Sequence, residues 1–133
     1  MTYLLDTNVA IHLRDADPDI VNRVAALEGA ILLSIVTVVE MEGGILRDPS
    51  SASHRRRVLD EMSNTFGTLA FGSAEATAYS KIVSTSGYAR SRIFDRMIAA
   101  QALVLDATLI TINGADFQDI PDLKLEIWPS PAS

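Results

Sequence analysis

Four short runs rich in apolar residues have the length and composition of buried strands. They are YLL at 3–5, AILLS at 30–34, TLIT at 108–111 and KLEIW at 124–128. Short, nearly continuous apolar runs are typical of strands that are covered on both faces. A weaker run, TLAF at 68–71, predicts one further short strand. The pattern therefore predicts a small sheet that is mainly buried.

Between these runs the apolar residues recur at helical spacing. A helix is predicted from about residue 8 to 14, and Asp17 followed by Pro18 predicts the start of a second helix, which ends at Gly29. Further helices are predicted at 37–46, 53–66, 73–86 and 95–105. Strands separated by helices imply parallel pairing, with helices on both faces. We therefore expect one α/β domain over 1–133, a three-layer α/β/α sandwich with a mainly parallel sheet.

Acidic residues fall where this topology places functional crevices. In open α/β sheets the crevice lies outside the carboxyl ends of the strands. Asp6 follows the first strand, Glu40 comes shortly after AILLS, and Asp116 follows TLIT. Asp95 opens the apolar helix at 95–105, whose first turn can point into the same crevice. Four acids from distant parts of the chain are thus predicted to meet at one edge of the sheet.

Each acid also has a local explanation. Asp6 is a favoured residue for capping the first helix, and Thr37 with Glu40 fits a capping box at the start of the third. Asp95 would stabilise a helix amino terminus through the macrodipole, and Asp116 lies in a stretch with ordinary turn chemistry. Four separate local roles do not explain why the acids share one edge. Since both sets of explanations are compatible with the sequence, the structure has to decide between them.

Composition narrows the chemistry that this edge could support. The 133 residues include no cysteine, so thiolate metal sites and nucleophiles are excluded. Converging carboxylates need protons or cations between them, and hard oxygen ligands suit Mg²⁺ or Mn²⁺. Neither His12 nor His54 is placed to join the acids or to form a histidine pair. We therefore predict a carboxylate-lined magnesium site.

Charge and hydropathy indicate the kind of protein. The net charge of −6 and the pI of about 4.7 argue against a general positive field for nucleic acid, although arginines cluster at 54–57 and 89–96. A mean hydropathy of +0.21 leaves room for an exposed apolar patch and a permanent partner. No run approaches the roughly 20 apolar residues of a membrane helix, and no secretory signal is recognised. We expect a cytoplasmic protein without membrane contact.

Four motifs together resemble a known family. DTN after the first strand, TxxEMxxG, FDxxIAAxAL and TxNxxDF occur in this order over essentially the whole chain. The set resembles the PIN-domain ribonucleases, and among them the VapC toxins of bacterial toxin–antitoxin pairs. The resemblance implies that one or two divalent ions are held by acids at the matching positions, which are Asp6, Glu40, Asp95 and Asp116. It also implies Mg²⁺, with Mn²⁺ as a substitute.

The resemblance carries further implications for substrate and partners. Polar residues that line such sites match Thr7, Asn8, Thr111 and Asn113, and we add Arg92 and Arg96 as candidates for phosphate contacts. The implied activity is cleavage of RNA phosphodiesters by metal-activated water, restrained by a VapB-like antitoxin. A homodimer is also implied, with DNA reached only through the antitoxin. The alternative is a PIN-like binding or regulatory subunit of an antitoxin–DNA complex with little nuclease activity.

Two positions depart from the commonest family pattern, and two other enzyme classes are disfavoured. Arg96 follows the third acid, where a small or apolar residue is frequent, and Glu42 adds a charge to the second motif. A haloacid-dehalogenase-like enzyme would need a second acid at the position of Asn8. A receiver domain would need paired acids near the first strand and a lysine after a late strand. The sequence therefore favours the metal-dependent nuclease.

Overall fold

The computed structural model describes residues 1–131 and contains a five-stranded parallel sheet. The strand order is β3-β2-β1-β4-β5, which places β1 in the centre. Every pairing is parallel, with Tyr3 opposite Ile31 on one side of β1 and Leu5 opposite Ile110 on the other. The strands are β1 Thr2–Leu5, β2 Ala30–Ser34, β3 Thr68–Leu69, β4 Thr108–Thr111 and β5 Lys124–Ile127. The prediction of a mainly parallel α/β sheet is confirmed.

Six α-helices in the described residues connect and cover the strands. They are α1 Thr7–Arg14, α2 Pro18–Ala25, α3 Ile35–Arg47, α4 Ala52–Phe66, α5 Ser73–Ser86 and α6 Ile93–Leu105. Single 3₁₀ turns lie at Pro49–Ser51, Arg90–Arg92 and Gly114–Asp116. Asp17 caps α2 as predicted, since its side chain accepts from the backbone N–H groups of Asp19 and Ile20. Within residues 1–131, no helix is long and apolar enough to span a membrane.

The start of α3 differs from the prediction. The helix begins at Ile35 rather than Thr37, because Ser34 is the N-cap and its Oγ accepts from the N–H of Val36 at 2.9 Å. Thr37 is then inside the helix and completely buried. The capping-box explanation for Glu40 is therefore wrong, and its carboxylate has to be explained by other contacts.

The core lies on both faces of the sheet because successive strand residues point to opposite sides. Tyr3 and Leu5 pack into a cluster with side chains from α1, α2 and α4, whereas Leu4 packs with α5 and α6. Helices thus cover both faces, which confirms the three-layer sandwich. Since β1 is central, the residue that follows Leu5 lies at the middle of the carboxyl edge.

A buried polar network stiffens the same edge. Ser34, at the end of β2, donates to the Gln101 side chain of α6, and the Gln101 amide donates to the carbonyls of Leu69 and Ala70 at 2.9 and 3.1 Å. Ser34 and Gln101 are both completely buried, so these hydrogen bonds satisfy groups that would otherwise be costly to desolvate. The network fixes α6, which carries Asp95, against the ends of β2 and β3.

Candidate active site

Asp6 lies directly after the central strand and is 3% exposed. One of its carboxylate oxygens accepts from the Thr7 N–H at 2.8 Å, and the other accepts from Thr111 Oγ1 at 2.7 Å. Asp6 is the N-cap of α1, so its local explanation is correct as far as it goes. Carboxylate oxygens have lone pairs beyond those used here. Capping therefore orients Asp6 without using up its capacity to bind a cation.

Glu40 reaches this edge from the middle of α3. Its carboxylate accepts from Thr7 Oγ1 at 2.7 Å, and Thr7 Oγ1 is 2.8 Å from Thr37 Oγ1. A hydroxyl has one hydrogen, and that of Thr7 is used on Glu40. Thr37 therefore donates to Thr7, and this relay orients the Glu40 carboxylate beside the start of α1.

Asp95 and Asp116 complete the set of predicted acids. Asp95 is in the first turn of α6, and Asp116 ends the 3₁₀ turn after β4. Arg92 donates to the backbone carbonyl of Asp116 at 3.1 Å, and its guanidinium lies 3.8 Å from the Asp116 carboxylate. The side chains of both Arg92 and Asp116 remain more than a third exposed. Arg92 therefore links the segment before α6 to Asp116 while staying accessible.

The charges of the four carboxylates act on one another. Burial raises the pKa of Asp6, and the charges of Glu40 and Asp116 raise it further. Burial also raises the pKa of Glu40, with a contribution from Asp95. The pKa of Asp95 rises to about 6 through burial and the charges of Asp6 and Asp116, against the opposing effect of Arg92. Negative charges of the other acids thus help to raise the pKa values of Asp6, Glu40 and Asp95, which the separate local explanations do not predict.

The donor chemistry of the cluster fits a hard divalent cation. Within the described residues no three His, Asp or Glu side chains are already arranged as ligands of a metal ion. All four acids supply oxygen, which suits Mg²⁺ or Mn²⁺. Asn8 adds a buried Oδ1 that has no hydrogen-bond partner among residues 1–131. The chemistry of these oxygen donors fits the ion.

Comparison with known proteins identifies the family of the chain. The PIN domain family profile matches residues 3–123. The chain belongs to the PIN domain family. It is 28% identical to Ribonuclease VapC2 of Rickettsia felis, covering 96% of this chain and 98% of the relative. It is 30% identical to Ribonuclease VapC1 of Haemophilus influenzae strain R2866, with the same coverage.

Solved structures show the same fold. One is VapBC2 from Rickettsia felis, bound to a DNA fragment from their promoter. A chain of that structure matches with a TM-score of 0.85 and 25% identity, and the match covers 96% of this chain and 99% of the other. VapBC-1 from nontypeable Haemophilus influenzae gives a TM-score of 0.80 and 29% identity, with coverages of 96% and 98%. The resemblance inferred from the four motifs is therefore confirmed at the level of the family and its fold.

The polar residues predicted to line the site occupy different positions in this PIN domain. Thr7 and Thr111 contact acids directly, as described above. Asn113 is exposed, and its backbone N–H donates to Thr111 Oγ1 at 3.0 Å, so it fixes the hydroxyl that holds Asp6. Asn8 is half-buried in the first turn of α1. The two threonines therefore position carboxylates, whereas the two asparagine side chains keep polar atoms that make no such contact.

The prediction that Arg96 contacts substrate phosphate is wrong. Its side chain is 3% exposed, and its guanidinium donates to the carbonyl of Gly87 and, at 3.3 Å, to the carboxylate of Asp119. Adjacent residues of a helix point about 100° apart, so Arg96 faces away from the crevice that Asp95 faces. Its position after the third acid is explained by packing, because it joins α6 to the end of α5 and to the loop before β5.

Arg96→Gln is expected to reduce the free energy of unfolding by about 2–3 kcal/mol, because it removes the hydrogen bonds to Gly87 and Asp119 and leaves the buried volume of the arginine side chain incompletely filled. The control is Arg90→Gln, which removes an exposed arginine six residues earlier and is expected to change stability by less than about 0.5 kcal/mol. Urea denaturation of the two variants and the parent measures both effects. Equal stability of the two variants would contradict the packing role of Arg96.

Two functional features were not predicted from the sequence. Thr37 was considered only as a cap, although a buried threonine one turn before a site acid, on the same helix face, is a positioning candidate. The groove beside Glu40, which Arg14 and Phe94 help to line, had no sequence signal, because these two residues come from different helices and meet only in the folded chain.

Proposed function

We propose that this PIN domain is a magnesium-dependent endoribonuclease and the toxin of a toxin–antitoxin pair. The observation that carries the proposal is the coupled cluster of four carboxylates at the carboxyl edge of the sheet. The names of the relatives, Ribonuclease VapC2 and Ribonuclease VapC1, support the reaction class. The VapBC complexes among the similar structures support the toxin role.

The four acids have separate roles in the proposed reaction. Asp6 and Asp95 would be the central ligands of the first ion, Glu40 would be a ligand or orient water, and Asp116 would bind a weaker second ion. Bound Mg²⁺, or Mn²⁺ in its place, supplies Lewis acidity that makes water more acidic and neutralises charge on the phosphate. The hydrogen bonds from Thr111 and Thr7 hold the Asp6 and Glu40 carboxylates in position.

Raised pKa values fit this role. The pKa of Asp95 is about 6, which means that its negative charge is costly in the metal-free fold. A bound cation would offset that cost by neutralising the charge. Arg92 is accessible beside Asp116 and remains our candidate for a phosphate contact. The scissile phosphate would then lie between Arg92 and the carboxylates.

The partners follow from the same comparison. We propose a VapB-like antitoxin as the restraining partner, a homodimer as the assembled toxin, and promoter DNA reached only through the antitoxin. Exposed apolar side chains on α3 are available for such contacts, since Leu46 is 82% and Val39 is 58% exposed. The alternative function, a binding subunit with little nuclease activity, would not need four coupled carboxylates.

The test is an RNA cleavage assay on the purified, antitoxin-free chain. We expect endonucleolytic cuts that leave 5′-phosphate ends with Mg²⁺ or Mn²⁺, and no cuts in EDTA. Sequencing the RNA ends after induced expression would identify the RNA that is cut in cells. Cleavage that persists in EDTA, with contaminating nuclease removed, would contradict the metal requirement. A chain that binds antitoxin but cuts no RNA with either ion would favour the regulatory alternative.

A further inference from the structure

A groove adjoins the acid cluster on one side. Its volume is about 370 Å³, and it lies between α1, α3 and the start of α6. Thr7 and Glu40, which belong to the hydrogen-bond relay described above, form part of its wall. The groove therefore adjoins the proposed reaction site through Glu40, and whatever occupies it is in reach of the Glu40 carboxylate. Its other principal side chains are Arg14, Val39, Arg47 and Phe94.

An exposed aromatic ring lines the α6 side of the groove. Phe94 immediately precedes Asp95 and is 50% exposed, although α6 is otherwise mostly buried. Val39, on the α3 wall, is 58% exposed. Half-exposed apolar side chains beside a charged crevice offer a flat surface for a ring that is itself partly apolar. Nucleobases have such π faces, and stacking on aromatic side chains is the usual way in which single strands are held.

The α3 wall contains two adjacent glycines that the fold itself does not require. Gly43 and Gly44 lie inside the helix, where each costs roughly 1 kcal/mol relative to alanine. A Cβ at Gly43 would meet nothing within 4 Å, and a Cβ at Gly44 would meet only Arg14 Nη1 at 3.9 Å. No internal clash explains the absence of side chains. The two glycines leave the α3 backbone open on the side of the groove.

Arginines surround the glycine end of the groove. Arg14 Nη1 is close to Gly44, Arg55 Nη1 donates to the Gly44 carbonyl at 3.1 Å, and Arg47 is exposed on the groove wall. Arg14 pairs with Asp15 and its side chain is 8% exposed, and Arg55 lies 4.0 Å from Asp48. Arg47 is therefore the exposed guanidinium of this end that forms no ion pair within residues 1–131. The groove thus runs from the Glu40 carboxylate, past the apolar side chains of Val39 and Phe94, to the guanidinium of Arg47. This order of groups matches a nucleotide, because its base can stack on an apolar ring and its phosphate can bind a guanidinium.

We infer that this groove binds a nucleotide of single-stranded RNA next to the scissile phosphate, with its base stacked on Phe94 and its outer phosphate held by Arg47 beside the open backbone of Gly43 and Gly44. The inference rests on the proposed function and assigns its substrate subsite. It also accounts for how an acidic protein holds RNA, through local contacts rather than a general positive field.

The test is equilibrium binding of two fluorescent probes in EDTA, where no cutting is expected. One probe is a mixed-sequence single-stranded RNA of eight nucleotides, and the other is the same ribose-phosphate chain without bases. Phe94→Leu keeps an apolar side chain but removes the π face. We expect it to weaken RNA binding by roughly 5- to 10-fold and to leave binding of the base-free chain unchanged. Tyr88→Leu is the matched control, since Tyr88 is 66% exposed and does not line the groove.

Two further variants separate the other contacts. Arg47→Gln should weaken both probes and reduce the slope of log affinity against log salt by about 0.7, the value for one phosphate contact to a single strand. Gly43→Ala with Gly44→Ala should raise the unfolding temperature, because helix propensity improves without a clash, yet weaken RNA binding several-fold. A loss of binding in a more stable protein cannot be attributed to misfolding.

The possible failures are distinguishable. If the parent binds no RNA in EDTA, the subsite is wrong, and the cleavage assay with Mg²⁺ decides separately whether the proposed function stands. If the parent binds RNA but Phe94→Leu behaves like Tyr88→Leu, or if the alanine pair leaves RNA affinity unchanged, the proposed function stands and the subsite is wrong. In that case the groove would bind a protein segment instead of RNA. The variants at Phe94, Arg47 and the two glycines would then weaken binding of the antitoxin but not of RNA.

Discussion

Asp6→Asn and Asp95→Asn are each expected to reduce kcat/KM for RNA cleavage by about 10²–10³-fold, the usual effect of removing one group that stabilises the transition state. Asparagine is nearly the same size as aspartate and still accepts a hydrogen bond. In Asp6→Asn the one remaining side-chain oxygen can accept from the Thr7 N–H and cap α1, while the Thr111 hydroxyl can turn to accept from the new amide N–H. What it removes is the charge that would hold the cation. The loss should consequently appear in activity while the protein still folds and accumulates.

The control for this prediction is Asp60→Asn on α4. Asp60 is exposed and lies 4.0 Å from Arg56, away from the acid cluster. Its replacement should leave cleavage unchanged. In cells, expression of the parent without its partner should slow growth, and both site variants should relieve the effect at equal protein levels. Full activity of both Asp6→Asn and Asp95→Asn would remove the basis for their assignment as metal ligands.

The convergence of the acids could be predicted because it follows from topology. Once YLL, AILLS and TLIT are recognised as parallel strands, their carboxyl ends must lie on one edge, and the residues that follow them must approach one another. The structure places Asp6 after the central strand and couples its charge to Glu40 and Asp116. The local explanation for Asp6 was also correct, so a cap and a site residue can be the same side chain.

Details that depend on side-chain direction could not be predicted. Arg96 is next to Asp95 in sequence, but the two side chains point about 100° apart around the helix axis. The Arg96 side chain is therefore buried, where it contacts Gly87 and Asp119. The start of α3 was displaced by two residues because Ser34 serves as both the end of β2 and the cap. At 68–71 only Thr68–Leu69 forms a strand, since this edge strand pairs with β2 over two residues.

Asp95→Asn is expected to unfold at the same temperature as the parent or higher in EDTA at pH 7. The folded state raises the pKa of Asp95 to about 6, whereas the unfolded value is near 3.8. An acid with a raised pKa contributes stability that is fully present below the unfolded pKa and is lost as pH rises through the folded pKa. The parent should therefore lose stability relative to the variant between pH 4 and 6, and the difference should level off above that range.

Addition of Mg²⁺ should narrow or reverse this order. An ion that binds only the folded state stabilises the parent by mass action, and the variant lacks one ligand. The explanation of Asp95 as a favourable charge at the start of α6 predicts a different result. If Asp95 only complements the dipole of α6, the variant should be less stable by roughly 0.3–1 kcal/mol, with or without the ion. Glu75 is the matched control, because it is also in the first turn of a helix, α5, and is not among the four clustered acids.

Thermal unfolding of the parent, Asp95→Asn and Glu75→Gln at pH 7, in EDTA and in millimolar Mg²⁺, tests directly whether the four acids form one metal site. We expect Asp95→Asn to match or exceed the parent in EDTA and to lose that advantage in Mg²⁺. Glu75→Gln should show the same small deficit in both conditions. A fixed deficit for Asp95→Asn that is equal to that of Glu75→Gln and independent of Mg²⁺ would contradict the shared metal site.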